Sequence, residues 1–199
     1  MKVVLASGNA GKLKELGTLL APLGVELITQ GELGIEGAEE TGCTFVENAL
    51  LKARHASRLA GLPAIADDSG LAVEALDGAP GVYSARYAGV AGADADAANN
   101  AKLIAALETS SDRRAHFHSV IVFLKHPEDP TPIIADGRWD GEIVTEPRGE
   151  NGFGYDPHFF IAALGLTAAE LDAERKNSLS HRGIAAASLL ERLSAESGK

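Results

Sequence analysis

Two acidic pairs, Glu39-Glu40 and Asp67-Asp68, and two lysines, Lys12 and Lys52, are the residues of this chain best suited to phosphate chemistry. Neighbouring carboxylates repel each other unless a cation or a proton separates them. Hard oxygen donors drawn from two separate bends suit Mg²⁺, which takes only one or two carboxylates and completes its shell with water and substrate phosphate. Lysines beside such a cation meet the phosphates, and positioning with charge neutralisation then supplies most of the catalysis. Asp67-Asp68-Ser69-Gly70 also satisfies an Asx-type turn, so the pair has a structural reading too. Because adjacent strand residues point to opposite faces, one of Asp67 and Asp68 is expected to face the site, and the sequence leaves open which.

Ser7-Gly8-Asn9-Ala10-Gly11-Lys12 lies between the apolar run Val3 to Ala6 and the helix-patterned Leu13, Leu16, Leu19 and Leu20. A strand that stops at a small glycine turn and restarts as a helix directs backbone N–H groups and the positive end of a helix dipole into one space, where anions collect. Lys12 adds a full charge. The turn is not a Walker A loop, because Ala6 and Leu13 stand where that motif needs a glycine and a hydroxyl.

Further along, Phe153-Gly154-Tyr155-Asp156 sets aromatic rings in a glycine-flexible loop, and Ser178-Leu179-Ser180-His181-Arg182 opens a helix. Cations in a first turn oppose the helix dipole, so His181 and Arg182 read as ligand-directed. Rings stack on bases and cationic side chains donate to carbonyl edges, a combination suited to a purine with oxygen at position 6; core anchoring is the alternative for the aromatic loop. His116 and His118 alternate onto one strand face without further ligands at zinc spacing and read as strand histidines with ordinary partners. Ser69 lacks the G-x-S-x-G elbow of a serine nucleophile.

These residues need a scaffold. Residues 44–60 open with Thr44 and Glu47 in capping-box spacing and stop at Gly61, which predicts a helix with Asn48 and Lys52 on one face and Glu40 just upstream. Pro63 to Ala66 reads as a buried strand broken at the Asp67–Gly70 turn, with Leu71 to Val73 as a second short strand. Residues 77–96 read as a long loop, 97–108 as a helix, His116 to Leu124 as the longest apolar strand, and Ile133 to about Ile143 as its antiparallel return. Helical patterns near 167–175 and 180–195 close the chain. The order β-α-α-β-β-α-β-β-α-α predicts a mixed α/β fold, a twisted and partly antiparallel sheet flanked by helices, with ligands at strand ends.

The totals exclude several classes. Residues 1–199 read as one domain that buries roughly 70% of its unfolded surface. Eighteen basic against twenty-eight acidic side chains give a formal charge of −10, which disfavours nucleic acid and anionic membranes as partners. A lone cysteine, Cys43, and no apolar stretch of membrane-spanning length point to a reducing cytoplasm.

The chain resembles the inosine/xanthosine triphosphate pyrophosphatases, which remove non-standard purine nucleotides from the nucleotide pool. The resemblance spans nearly all of it and rests on Ser7 to Lys12, Glu39-Glu40-Thr41-Gly42 with Thr44-Phe45 and Glu47-Asn48-Ala49, Ala66 to Leu71, Pro80 to Tyr87, Phe153 to Pro157 and Ser180-His181-Arg182. It implies Mg²⁺-dependent hydrolysis of dITP, ITP and XTP between the α and β phosphates, giving the monophosphate and pyrophosphate. By matching position, Asp68 resembles the catalytic carboxylate and metal ligand, Glu40 its metal-binding partner, and Lys12 and Lys52 the phosphate-binding lysines. Ser7, Gly8, Asn9, Ala10 and Gly11, Ser69, Phe153, Gly154, Tyr155, Asp156, Lys176, His181 and Arg182 match substrate and base contacts. The resemblance further implies an elongated, two-lobed homodimer subunit with its site in a central cleft. Donors at Lys176, His181 and Arg182 would meet an O6 acceptor and be left unsatisfied by a 6-amino group. A phosphomonoesterase would release orthophosphate, and a nucleotide sensor would need no general base.

Overall fold

The structure is a computed structural model that describes residues 2–197. Its seven strands form one sheet: β1 (Lys2–Ala6), β2 (Glu26–Thr29), β3 (Ala64–Val73), β4 (Arg114–Leu124), β5 (Ile133–Ile143), β6 (Phe159–Ile161) and β7 (Leu166–Thr167), in the order β2-β1-β3-β4-β5-β6-β7. β1 pairs in parallel with β2, Val3 opposite Leu27, and with β3, Leu5 opposite Ile65. β6 pairs antiparallel with β5 and with β7, so the sheet is mixed as expected. The helices are α1 (Ala10–Leu20), α2 (Phe45–Ala60), α3 (Ala95–Ala106), α4 (Ala173–Leu179) and α5 (His181–Ser197).

The chain divides into two compact units interleaved in sequence: Met1–Asp68, Ser119–Gly137 and Arg182–Lys199 in the first, Ser69–His118 and Arg138–His181 in the second. The period-two alternation of strands organises the first unit. Val3 and Leu5 of β1 enter one apolar cluster with Leu16 and Leu20 of α1, Ile121 and Phe123 of β4, and Ala185, Ala186 and Leu189 of α5. Val4 and Ala6 enter another with Val120 and Val122 and with Ala49, Ala53 and Ala56 of α2, whose small side chains on one face admit close backbone approach. In the second unit Leu71, Val73, Leu103, Phe117, Trp139, Tyr155, Phe159 and Leu171 form the core. Each fully buried large apolar side chain of these clusters contributes about 1.5–3 kcal/mol.

Several sequence expectations are corrected. Asp67-Asp68-Ser69-Gly70 is no turn: β3 runs unbroken through it from Ala64 to Val73. Turn propensity loses there because both carboxylates find cations on other elements. The 167–175 helix divides, with a 3₁₀ turn at Ala168–Glu170 and α4 starting at Ala173 behind its N-cap Asp172, whose side chain accepts from Arg175 N–H. The 77–96 loop carries a 3₁₀ segment, Gly81–Arg86, and α3 begins at Ala95. β2, β6 and β7, of four, three and two residues, are too short to show a period.

Candidate active site

Local signals on α2 build the first cluster. Thr44 Oγ1 accepts from Glu47 N–H, and the Glu47 carboxylate accepts from the N–H groups of Thr44 and Cys43, so the capping box is complete. Four residues apart on one face, Asn48 and Lys52 then meet the acidic residues. Lys52 Nζ lies 2.7 Å from Asp68 Oδ1 and 2.9 Å from Glu40 Oε1. Asn48, fully buried, donates to Asp68 Oδ2 at 3.4 Å and accepts from Gly42 N–H at 2.8 Å. A Cβ at position 42 would stand 2.6 Å from that of Glu47, so the bend leading in from Glu40 requires glycine. Burial pushes the Asp68 carboxyl above the ordinary carboxylate range, against the lowering by Lys52 and Lys12. Burial works against the Lys52 ammonium too, but Asp68 and Glu40 outweigh it and hold its pKa up.

Asp67, one residue earlier, takes different partners. Its Oδ2 is 2.9 Å from Lys12 Nζ, and its Oδ1 accepts from Ser119 Oγ at 2.5 Å and lies 3.7 Å from Arg182 Nε. Arg182 also pairs with Glu15 of α1. Burial alone would raise the Asp67 carboxyl, but Lys12 and Arg182, with hydrogen bonds from Lys12 and Ser119, hold it far below the ordinary range. The glycine turn is organised from within: Ser7 Oγ accepts from Asn9 N–H, and Asn9 Oδ1 caps α1 by accepting from Lys12 N–H. Asn9 thereby takes up one of the amides that the sequence reading assigned to an anion, while Gly8, Asn9 and Ala10 stay exposed.

The aromatic loop belongs to the second unit. Asp156, buried, accepts from Phe153 N–H at 2.9 Å and pairs with Lys176 Nζ at 2.7 Å. That ammonium stands 5.1 Å from the centre of the Phe153 ring. Gly152, at φ +77°, closes the turn, since a Cβ there would fall 2.0 Å from Asp156 Oδ2. Helix α3 grips the loop twice: Asp96 accepts from Gly154 N–H at 2.8 Å and Asn100 donates to the Gly154 carbonyl at 2.9 Å. Tyr155 donates its hydroxyl to the Ser84 carbonyl at 2.8 Å and packs in the core. His181 stacks on Phe117, centroids 4.8 Å apart. Ser69 follows Asp68 directly in β3, half-buried.

The structure thus brings Lys12, Glu40, Lys52, Asp67, Asp68 and Arg182 together in the first unit, and Phe153, Gly154, Asp156 and Lys176 in the second, which also holds Tyr155, Ser69 and His181. Glu39 is exposed and does not join Glu40 on Lys52. Sequence reading missed Glu15, Ser119, Asp96 and Asn100. Ser119 left a faint signal, a hydroxyl inside the apolar run of β4. As for a metal, two carboxylates sharing one ammonium are the hard-oxygen donor set that Mg²⁺ takes. Among the described residues no group of three or more His, Cys, Asp or Glu is gathered for an ion, so the balance of a Mg²⁺ shell would fall to water and phosphate oxygens. His116 instead faces Glu74 at 3.4 Å and Arg138 at 3.4 Å. No described helix is long and apolar enough to cross a membrane.

Known proteins resemble this chain along nearly its whole length. The chain is 62% identical over 193 residues to a dITP/XTP pyrophosphatase of Ralstonia nicotianae, covering 96% of each. It is 61% identical to one of Xanthomonas axonopodis, covering 98% of each. Among solved structures, a HAM1 protein from Coxiella burnetii superposes with a TM-score of 0.91 at 51% identity over 98% of this chain and 99% of that one. The Ham1 protein of Staphylococcus aureus gives 0.86 at 40% identity over 98% and 100%. The Ham1 family model matches residues 3–192, and the chain belongs to that family.

Proposed function

We propose that this protein hydrolyses dITP, ITP and XTP to the nucleoside monophosphate and pyrophosphate by breaking the α–β phosphoanhydride, and so clears non-standard purines from the nucleotide pool. The observation that carries the reading is Lys52 Nζ held between the carboxylates of Asp68 and Glu40. Asp68, with its raised pKa, takes a proton from the attacking water. Lys52 and Lys12 offset charge on the triphosphate, and Ser7 to Gly11 line its approach. Glu40 and Asp68 are the residues that would hold Mg²⁺; when bound, it would neutralise the polyphosphate and stabilise the pyrophosphate leaving group. In the second unit the Phe153 ring offers a stacking face, with Gly154, Tyr155 and Asp156 shaping the loop, while Ser69, Lys176 and His181, with Arg182, supply polar contacts to the substrate. Residues 1–199 act as one pyrophosphatase domain, in a cytoplasmic homodimer, on small nucleotides rather than polynucleotides or membranes.

The test is a nucleotide panel with Mg²⁺, with kcat/KM measured for each triphosphate and products identified by phosphorus NMR. Monophosphate and pyrophosphate from dITP and XTP are the expected products. Orthophosphate in place of pyrophosphate would make the protein a phosphatase, and binding without turnover would make it a sensor.

A further inference from the structure

A hollow of about 820 Å³ opens within the second unit, lined by one side of α3, by Arg113 just before β4, and by Thr145, Pro147, Pro157 and His158. Of its lining residues only Asn100 touches the site described above, through its Nδ2 contact to the Gly154 carbonyl. Ala97, Ala101, Ile104 and Ala105 give it an apolar wall. Two polar atoms break that wall, and both are buried without a hydrogen-bond partner: Arg113 Nη1 and Asn100 Oδ1.

Each orphan has a definite chemical sign. Arg113 makes no ion pair among the described residues, although acidic side chains outnumber basic ones by twenty-eight to eighteen in this chain. A guanidinium carries only donors, in a fork that fits phosphate or carboxylate. The Asn100 amide is fixed by its other end: Nδ2 must donate to the Gly154 carbonyl, 2.9 Å away, so Oδ1 can only accept. Glu108 also lines the hollow, exposed and without an ion pair to Arg113 among the described residues, and adds an acceptor at its edge. His158 turns Nδ1 to the Val144 carbonyl at 2.8 Å, which fixes its ring against the wall of the hollow. Buried donors and acceptors left unmade are costly, and a ligand that satisfies them recovers the loss.

We propose that this hollow binds a small organic anion that carries an N–H donor. Its phosphate or carboxylate sits on Arg113, its N–H group on Asn100 Oδ1, and its apolar or flat body on the alanine side of α3. The volume is that of sites for small organic ligands.

Two probes distinguish the kinds of anion: adenosine 5′-monophosphate and 4-aminobenzoate, each titrated calorimetrically into the full-length protein, with inorganic phosphate as a third arm. Saturable binding of at least one amino-bearing probe is expected, weakened about tenfold or more in Arg113→Met by loss of the charge-assisted pair. Ala101→Phe, which fills the hollow from an exposed helix position, should weaken it similarly while leaving the thermal transition in place. Unchanged binding in both variants would locate the ligand elsewhere and overturn the proposal. Inorganic phosphate binding as tightly as the organic probes would overturn the N–H and apolar parts of it, and silence of both organic probes at millimolar concentration would overturn it entirely. Hydrolysis of dITP is not the readout, so failure here leaves the proposed activity untouched, and the reverse also holds.

Discussion

Asp67 and Asp68 are neighbours in one strand, yet each is held by a different lysine, Asp67 by Lys12 at 2.9 Å and Asp68 by Lys52 at 2.7 Å, and their surroundings push the two carboxyl pKa values in opposite directions. Burial raises Asp68, whereas two cations and a hydroxyl overcome burial at Asp67. A carboxyl of raised pKa suits proton transfer, and one held ionised suits structure.

Asp68→Asn should therefore lower kcat for dITP by roughly 10²–10⁴-fold, the range for loss of a general base. Its thermal transition should stay within a few degrees of the parent, because the amide still accepts from Lys52. Turnover near the parent value would remove Asp68 from the reaction.

The acid limb of kcat/KM is expected above the ordinary carboxylate value of 3.8, because in the proposed role Asp68 has to lose its proton first and burial retains that proton. Lys52→Gln removes the cation that opposes this rise, so the limb should move further up in pH and maximal turnover should fall. A limb that moves down, read from rates across a pH series, would contradict the assignment.

Asp67→Asn should act on stability. It leaves Arg182, 2% exposed, and Lys12 facing a neutral amide, a change of about 3 kcal/mol or more. For a chain of this length that lowers Tm by roughly 6–12 °C, measurable by calorimetry. The pH dependence follows from the lowered pKa. Folded Asp67 stays ionised where the unfolded chain binds a proton, so its stabilisation is complete well above pH 3.8 and is lost as pH falls below that value. The slope of Tm against pH in that acid window should be shallower in the variant.

Gly152→Ala should disturb the aromatic loop. The added Cβ would strike Asp156 Oδ2 and hold a strained positive φ, displacing the carboxylate that anchors both Phe153 N–H and Lys176. KM for dITP is expected to rise several-fold with a smaller change in kcat. A fall in kcat alone would place the loop in the chemical step instead.

Selectivity is tested by Lys176→Ala. Donors built to meet O6 are left unsatisfied by a 6-amino group, so the parent should favour ITP over ATP in kcat/KM, and the variant should narrow the ratio. Equal values for the two nucleotides in the parent protein would dispose of this account.

What the sequence made legible was local. Thr44, Glu47 and Gly61 delimit α2 by contacts within a few residues, and Asn48 and Lys52 share a face by helical spacing alone. The strand expected from Ile133 to about Ile143, as the return across a Pro-rich turn, runs over Ile133–Ile143. The Asp67–Gly70 segment misled because its own preference is for a turn, while the cations that keep it extended come from α1, α2 and the start of α5. Glu15 meets Arg182 across 167 positions and Ser119 meets Asp67 across 52, distances over which no periodicity speaks. The inward-turned Asn100 was equally invisible, since an exposed-looking asparagine on a helix has no pattern to betray its partner.

The unbroken run of β3 through both aspartates makes the chain intolerant of frame errors. A one-residue deletion between Gly61 and Ala64, absorbed by sliding the strand, would carry Asp68 to the seat of Asp67 and invert every side chain behind it. The carboxylate proposed as proton acceptor would then lie among Lys12, Arg182 and Ser119, which hold a carboxyl ionised, while Ser69 stood before Lys52. Such a shortened protein would keep much of its strand hydrogen bonding and still be chemically inert.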